Sequence, residues 1–250
     1  MSELVIVTDD GPVRIVRMNR HEKENALTMA MYDAMASGIE TAARNPALRC
    51  VLIAGAPTVF CAGNDIGDLL KMTGPDGALG APILRFLYSL ARCEVPLIAA
   101  VQGNAVGVGT TMLMHCDHVV ASTEARFSTP FVSLGLVPEA ASSLIAPRLL
   151  GHTRAFALLV MGQALNAADA KSAGLVNMVV PSDAVETEAM KAAAAIAALP
   201  PQAVLASRRL MRGEPDEIIA RIDAEAEQFK ARLQSSEARA AFEAFMKRKR

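Results

Sequence analysis

The sequence predicts an α/β core, residues 1–198, followed by a C-terminal helical region, residues 199–250. Three observations carry that expectation. Short apolar runs alternate with segments of helical periodicity through the first half of the chain. After about Gly135 the strand signals thin out and helical ones take over. From Ala184 onward the chain reads as nearly all helix, interrupted only by Gly/Pro breaks. A length of 250 residues with 52% hydrophobic content is ample for one such core.

Each element has its own warrant. Leu4–Thr8 and Val13–Met18 flank Asp9-Asp10-Gly11, whose Asp-Gly pair predicts a hairpin. Leu27–Arg44 carries apolar residues at helical spacing and stops before Asn45-Pro46. Cys50–Ala54 and Leu97–Val101 are short apolar strands, with a helix over Ile83–Ala91 between them. Thr73–Pro82, rich in Gly and Pro, reads as a surface loop. A helix over Thr110–His115 leads to a strand at His118–Ser122. Short helices follow at Ser142–Leu150, Arg154–Met161 and Ala167–Ser172, then a last strand at Leu175–Val180. Breaks at Leu199-Pro200-Pro201 and Gly213-Glu214-Pro215 divide the tail into three helices.

Composition excludes several function classes. Lys+Arg 25 against Asp+Glu 26 gives a net charge of −1, which offers no field for a nucleic-acid backbone or an anionic membrane. Aromatics at 4%, without any Trp, make base-stacking platforms unexpected. Cys50, Cys61, Cys93 and Cys116 lack CxxC spacing and read as reduced, buried thiols of a cytoplasmic protein. The N-terminus lacks the basic and apolar regions of a signal peptide. Val95–Cys116 holds no charged residue and has bilayer length, but its Gln, Asn and glycines read as strand, loop and helix; no membrane span is expected. His115-Cys116-Asp117-His118 has no second ligand pair downstream, so no metal is expected there.

Two loops invite chemistry. Gly103-Asn-Ala-Val-Gly107-Val-Gly109 follows a strand and opens a helix, but is neither GxGxxG nor a P-loop. Phe60-Cys-Ala-Gly-Asn-Asp-Ile66 follows the strand Cys50–Ala54. Unpaired N–H groups at such positions can form an oxyanion hole, or the glycines can simply make tight turns. Spacing alone leaves both open.

Taken together, Asn19-Arg20, Asn25-Ala26-Leu27, the Phe60–Ile66 and Ala100–Gly107 segments, Cys116-Asp117, and Ala167, Ala170 with Gly174-Leu175-Val176 resemble the crotonase, or enoyl-CoA hydratase/isomerase, superfamily. The resemblance runs from about residue 5 to 245. It implies a ββα spiral core with C-terminal helices that serve trimerisation, and an acyl-CoA thioester substrate whose CoA is no separate cofactor. It assigns the oxyanion N–H groups to Asn64 and Val108, and main-chain contacts with CoA to Ala62, Gly63, Asn64, Asp65 and Ile66. It also implies a homotrimer or hexamer. The C-terminal segment Ile222–Phe245, apolar on more than one face that a monomer would leave wet, points the same way, with the tail covering its own active site or a neighbour's.

The acid-base residues depart from the hydratase pattern. The two glutamates typical of hydratases fall, by the resemblance, on Thr111 and Phe131, which cannot move protons. Glu139 in Leu134-Gly135-Leu136-Val137-Pro138-Glu139 instead resembles the single glutamate of peroxisomal-type Δ3,Δ2-enoyl-CoA isomerases. As a bare residue, Glu139 reads first as a cap for the helix that starts near Ala140, and it is the resemblance that turns the reading to catalysis. Its surroundings from Phe127 to Ala146 carry no other charge, so burial should raise its pKa toward the range a proton shuttle needs. The leading expectation is a Δ3,Δ2-enoyl-CoA isomerase. A hydratase or other acyl-CoA enzyme using Glu139, and a non-catalytic thioester-binding scaffold, are the alternatives.

Overall fold

The computed structural model describes residues 4–56, 58–71 and 80–248. β1 (Val5–Asp10) and β2 (Val13–Met18) form the antiparallel hairpin, with Asp10 opposite Val13. The turn is Gly11-Pro12 rather than Asp-Gly, and Gly11 takes φ +54° at the first central position, which suits strand twist. α1 (Met29–Arg44) starts later than the periodicity suggests, because Thr28 accepts the Met31 N–H as its cap. Leu27 is thereby freed to form an isolated parallel bridge with Asn64.

β3 (Cys50–Ala54) and β4 (Leu97–Val101) fall where the apolar runs place them, with α2 (Ile66–Lys71) and α3 (Ala81–Arg92) between. Of the loop expected at Thr73–Pro82, the part up to Leu79 lies outside the described residues; Pro82 sits in the first turn of α3, where its missing N–H is harmless. Next come β5 (Asn104–Val106), α4 (Val108–Thr111) with a 3-10 turn at Met112–His115, and β6 (His118–Ser122). β7 (Arg126–Ser128), α5 (Ser142–Leu150), α6 (His152–Leu159), β8 (Leu165–Asn166), α7 (Ala167–Ala173) and β9 (Met178–Val180) complete the mixed region.

The tail forms four helices, not three: α8 (Val185–Ala197), α9 (Pro201–Arg212), α10 (Asp216–Leu233) and α11 (Ser236–Arg248). The extra break carries neither Gly nor Pro. It is made by Ser235, whose Oγ accepts the Ala238 N–H and starts a new helix.

The main sheet runs β1-β2-β3-β4-β6-β9, parallel throughout except for the hairpin. Its central strands are buried on both faces, which is why Cys50–Ala54 and Leu97–Val101 read as unbroken apolar runs. Val51, Ile53, Leu97, Ala99 and Val101 join the core with α1 and α3. Leu52, Ala54, Ile98 and Ala100 pack with Val185, Ala189 and Ala193 of α8 on the other face. β5, β7 and β8 form a second small sheet, its strands too short to show alternation in the sequence.

α10 packs on α3 and α5, and α11 against the turn at Val132–Leu134. Ile222, Phe229, Leu233, Ala238 and Phe242 are all buried within the chain. These five side chains are therefore covered without a second subunit, which corrects for them the expectation that a monomer leaves the segment wet. Among the described residues, no single helix is long and apolar enough to cross a membrane; Val95–Cys116 folds as β4, β5, α4 and a 3-10 turn.

Candidate active site

β3 and β4 are parallel neighbours, so the loops after them leave from the same edge of the sheet. Cys61 is stitched to the second loop through Cys61 N–H to Asn104 O at 3.0 Å and Val106 N–H to Cys61 O at 2.9 Å. On the other side, Ala62 N–H donates to Glu24 O, Leu27 N–H to Gly63 O and Asp65 N–H to Leu27 O, all within 2.8–2.9 Å. The buried Asn25 accepts the Arg20 N–H at 2.8 Å and donates to Phe60 O at 3.0 Å. Arg20 pairs with Asp65 at 2.7 Å. Burial works against that carboxylate, but the Arg20 guanidinium and the Asp68 N–H prevail and hold Asp65 below its usual pKa. The Asn19–Leu27 segment is thus the brace of the Ala62–Ile66 loop.

Two glycines are required by geometry. Gly63 sits at φ +88°, and a Cβ there would meet Val106 O at 2.9 Å. Gly107 takes φ +56° and ψ −119°, a conformation closed to side-chain-bearing residues. It turns the chain so that Val108 is the first residue of α4, with its N–H outside the intrahelical ladder. Neither the Asn64 nor the Val108 N–H finds an acceptor among the described residues. Two unpaired donors on adjoining, cross-bridged loops are what an oxyanion hole requires.

Glu139 is 4% exposed, and its Oε1 accepts the Thr111 hydroxyl at 2.6 Å. Burial pushes its pKa up to about 7; the Thr111 hydrogen bond opposes this and the nearby Glu225 charge adds to it. It is not the helix cap. That place belongs to Glu225 of α10, which accepts the Ala141 N–H at 2.6 Å and the Ser143 N–H at 2.9 Å. The backbone between is strained: Ala140 and Ala141 take φ +61° and +55°, at a cost of about 1–2 kcal/mol per residue.

Thr111 links Glu139 to α4, and hence to Val108. Tyr32, fully buried in α1, is tied to the other loop: its hydroxyl donates to Asn64 Oδ1 at 2.5 Å. Burial first, and the Glu139 charge second, push the Tyr32 pKa well above its usual value. A cavity of about 550 Å³ is lined by Ala62, Gly63, Asn64, Asp65, Ile66 and Gly107, closed by the apolar side chains of Phe131, Leu136, Phe229 and Phe242. Every expected loop residue lines it. Val108 and Glu139 do not; both are buried, linked by α4 and Thr111. His115 Nε2 bonds Ala140 O at 2.8 Å, and Asp117 accepts Leu97 N–H and Arg208 Nε, so this tempting cluster is tied into local structure.

Sequence reasoning missed Tyr32 and Glu225. Tyr32 carries no local motif. Glu225 had a signal: it shares the helix face of Ile222, Phe229 and Leu233 at i+3, i+7 and i+11 spacing, an acid on a buried stripe.

The family model described as Enoyl-CoA hydratase/isomerase matches residues 9–250. Enoyl-CoA delta isomerase 2 of Rattus norvegicus is 34% identical over 99% of this chain, which spans 64% of that protein's length. The solved structure of OdaA from Pseudomonas aeruginosa shares 42% identity and a TM-score of 0.93, covering 98% of this chain and 99% of that one. An enoyl-CoA hydratase/isomerase structure from Pseudoalteromonas atlantica shares 38% identity and a TM-score of 0.92, covering 98% of each chain.

Proposed function

The chain belongs to the enoyl-CoA hydratase/isomerase family, and from that premise we propose that it is a Δ3,Δ2-enoyl-CoA isomerase. One observation carries the choice: the buried carboxyl of Glu139 is hydrogen-bonded to Thr111 of α4, the helix that opens on the unpaired Val108 N–H, while the other buried carboxyl nearby, Glu225, is committed to two backbone N–H groups. In the reaction, Glu139 removes a proton from C2 of a 3-enoyl-CoA. The thioester oxygen takes the developing charge and accepts from the N–H groups of Asn64 and Val108. The protonated carboxyl then returns its proton to C4, leaving the conjugated 2-enoyl-CoA. The main chain of Ala62–Ile66 receives the CoA portion. No metal or redox group takes part.

Hydration of a double bond calls for two carboxyl groups around a water. The second acid near Glu139 is Glu225, and both of its oxygens are occupied by backbone N–H groups. That favours isomerisation over hydration. Product analysis with 3-hexenoyl-CoA and crotonyl-CoA decides the reading: conjugated product from the first supports it, and 3-hydroxyacyl product from the second overturns it.

The pH dependence has a definite sign. Glu139 must be ionised to accept the C2 proton, so kcat/KM should rise with pH through about 7 and level off above. The Thr111 hydroxyl favours the ionised form. Thr111→Val should therefore move the rising limb to higher pH. A hydrogen bond to a charged group is worth about 1.5–3 kcal/mol, so kcat/KM on the acid side should fall at least roughly 10-fold and recover in part at high pH. An unmoved limb would contradict the assignment.

A homotrimer or hexamer is part of the same proposal. Support comes from apolar side chains left outside the fold on and before α9: Leu210 is 86% exposed, Met211 87% and Leu199 53%. Light scattering should give the mass of three or six chains. The mass of a single chain at micromolar concentration would count against it.

A further inference from the structure

We propose that Glu225 is a positioning residue for Glu139: from α10, its carboxylate fixes the left-handed Ala140–Ala141 step that sets where the Glu139 side chain stands. The inference rests on Glu139 being the proton-moving group. Glu225 is 84 residues away in the chain from Ala141 and only 6% exposed. Its two oxygens take separate N–H groups, Ala141 on one and Ser143 on the other. These bracket the first turn of α5, which has no cap of its own. Arg221, one turn earlier on α10, reaches Ser143 Oγ at 3.3 Å and faces the same carboxylate.

The short segment between Pro138 and Ser143 is held elsewhere too. Ser142 Oγ donates to Glu139 O at 2.6 Å, and His115 Nε2 bonds Ala140 O at 2.8 Å. Burial pushes the His115 pKa down to about 4, so near neutral pH the ring is uncharged and donates without adding a charge beside Glu139. With these contacts made, two alanines stay in a conformation that L-residues avoid, and Glu139 projects against Thr111. Removing Glu225 releases two N–H groups at once and lets the pair relax, so the reacting carboxyl moves.

A cap that served stability alone would leave kcat of a folded variant untouched. Glu225 does more, because its negative charge stands within Coulombic reach of Glu139 and disfavours ionisation there. Among the described residues, the other titratable groups in that surround are His115 beside Ala140, Tyr32 on α1 and Cys61 in the loop after β3, all held neutral by burial near neutral pH. Replacing Glu225 with a neutral isostere should therefore make Glu139 ionise at lower pH.

The test uses the full chain with Glu225→Gln and Glu225→Ala. Glu225→Ala should lower kcat for 3-hexenoyl-CoA isomerisation roughly 10- to 100-fold through misplacement of the base, with KM within about threefold. Glu225→Gln keeps one acceptor oxygen, so most of kcat should return, with the rising limb of kcat/KM moved to lower pH. Carboxyl 13C NMR of the unliganded protein, with Glu139→Gln assigning the signal, reads the same displacement without turnover. An unchanged kcat in a folded Glu225→Ala variant, or an unmoved Glu139 titration in Glu225→Gln, overturns the proposal. Should Glu225→Ala fail to fold by circular dichroism, Glu225→Asp, which keeps the charge but draws the oxygens back from the Ala141 and Ser143 N–H groups, should show the same loss of kcat, and an unchanged kcat there overturns the proposal. If Glu139→Gln keeps full isomerase activity, the isomerase reading fails, while the NMR titration still settles whether Glu225 governs Glu139.

Discussion

Glu139→Gln should abolish most isomerisation, lowering turnover by roughly 100- to 10,000-fold, the range for a lost general acid-base group. The substitution is close to isosteric, and the amide oxygen still accepts the Thr111 hydroxyl that Oε1 accepts now at 2.6 Å. It does not uncap α5, because the N–H groups of Ala141 and Ser143 belong to Glu225. Stability should consequently change by no more than about 1 kcal/mol. Thioester binding should survive as well, since the cavity is lined by the Ala62–Ile66 loop and apolar side chains rather than by Glu139. The expected signature is thus a large loss in kcat with binding preserved, followed by absorbance of the conjugated 2-enoyl product. Turnover near that of the parent chain would show that some other group moves the proton.

Why this acid could be picked out of the sequence, and its support could not, is a matter of range. Glu139 stands alone in an uncharged segment, and a charge amid apolar residues announces either burial or chemistry. The loops were legible for a similar reason: Gly63 and Gly107 are demanded by local backbone geometry, and a glycine records that demand at its own position. β3 and β4 were read to the residue because strands buried on both faces are continuous apolar runs. Tyr32 and Glu225 act across 32 and 84 residues of chain, and nothing adjacent to either records its partner. The small sheet was missed because two- and three-residue strands carry no period. The C-terminal apolar stripes left two covers open, the chain's own site or a neighbour's, and Phe229 and Phe242 take the first by lining the chain's own cavity.

Val108→Pro isolates the other half of the chemistry, because it deletes one N–H and little else. Val108 is the first residue of α4, the helical position where proline's fixed φ and missing donor are best tolerated. Gly107 before it has no Cβ to clash with the new ring. No protein hydrogen bond is lost, since that N–H has no acceptor among the described residues. The fold should therefore persist, which circular dichroism can establish before any kinetics. Loss of one oxyanion donor is expected to cost roughly 100- to 1000-fold in turnover, about 2.7–4 kcal/mol of transition-state stabilisation. Val108→Ala is the matched control. It removes buried methyl groups, at about 2 kcal/mol of stability, yet keeps the N–H, so turnover should stay near normal. The pair separates packing from hydrogen bonding: the alanine variant should be less stable but active, and the proline variant folded but nearly inactive. A folded proline variant with activity comparable to the parent would remove Val108 from the oxyanion hole, leaving Asn64 alone to carry the charge that develops on the thioester oxygen.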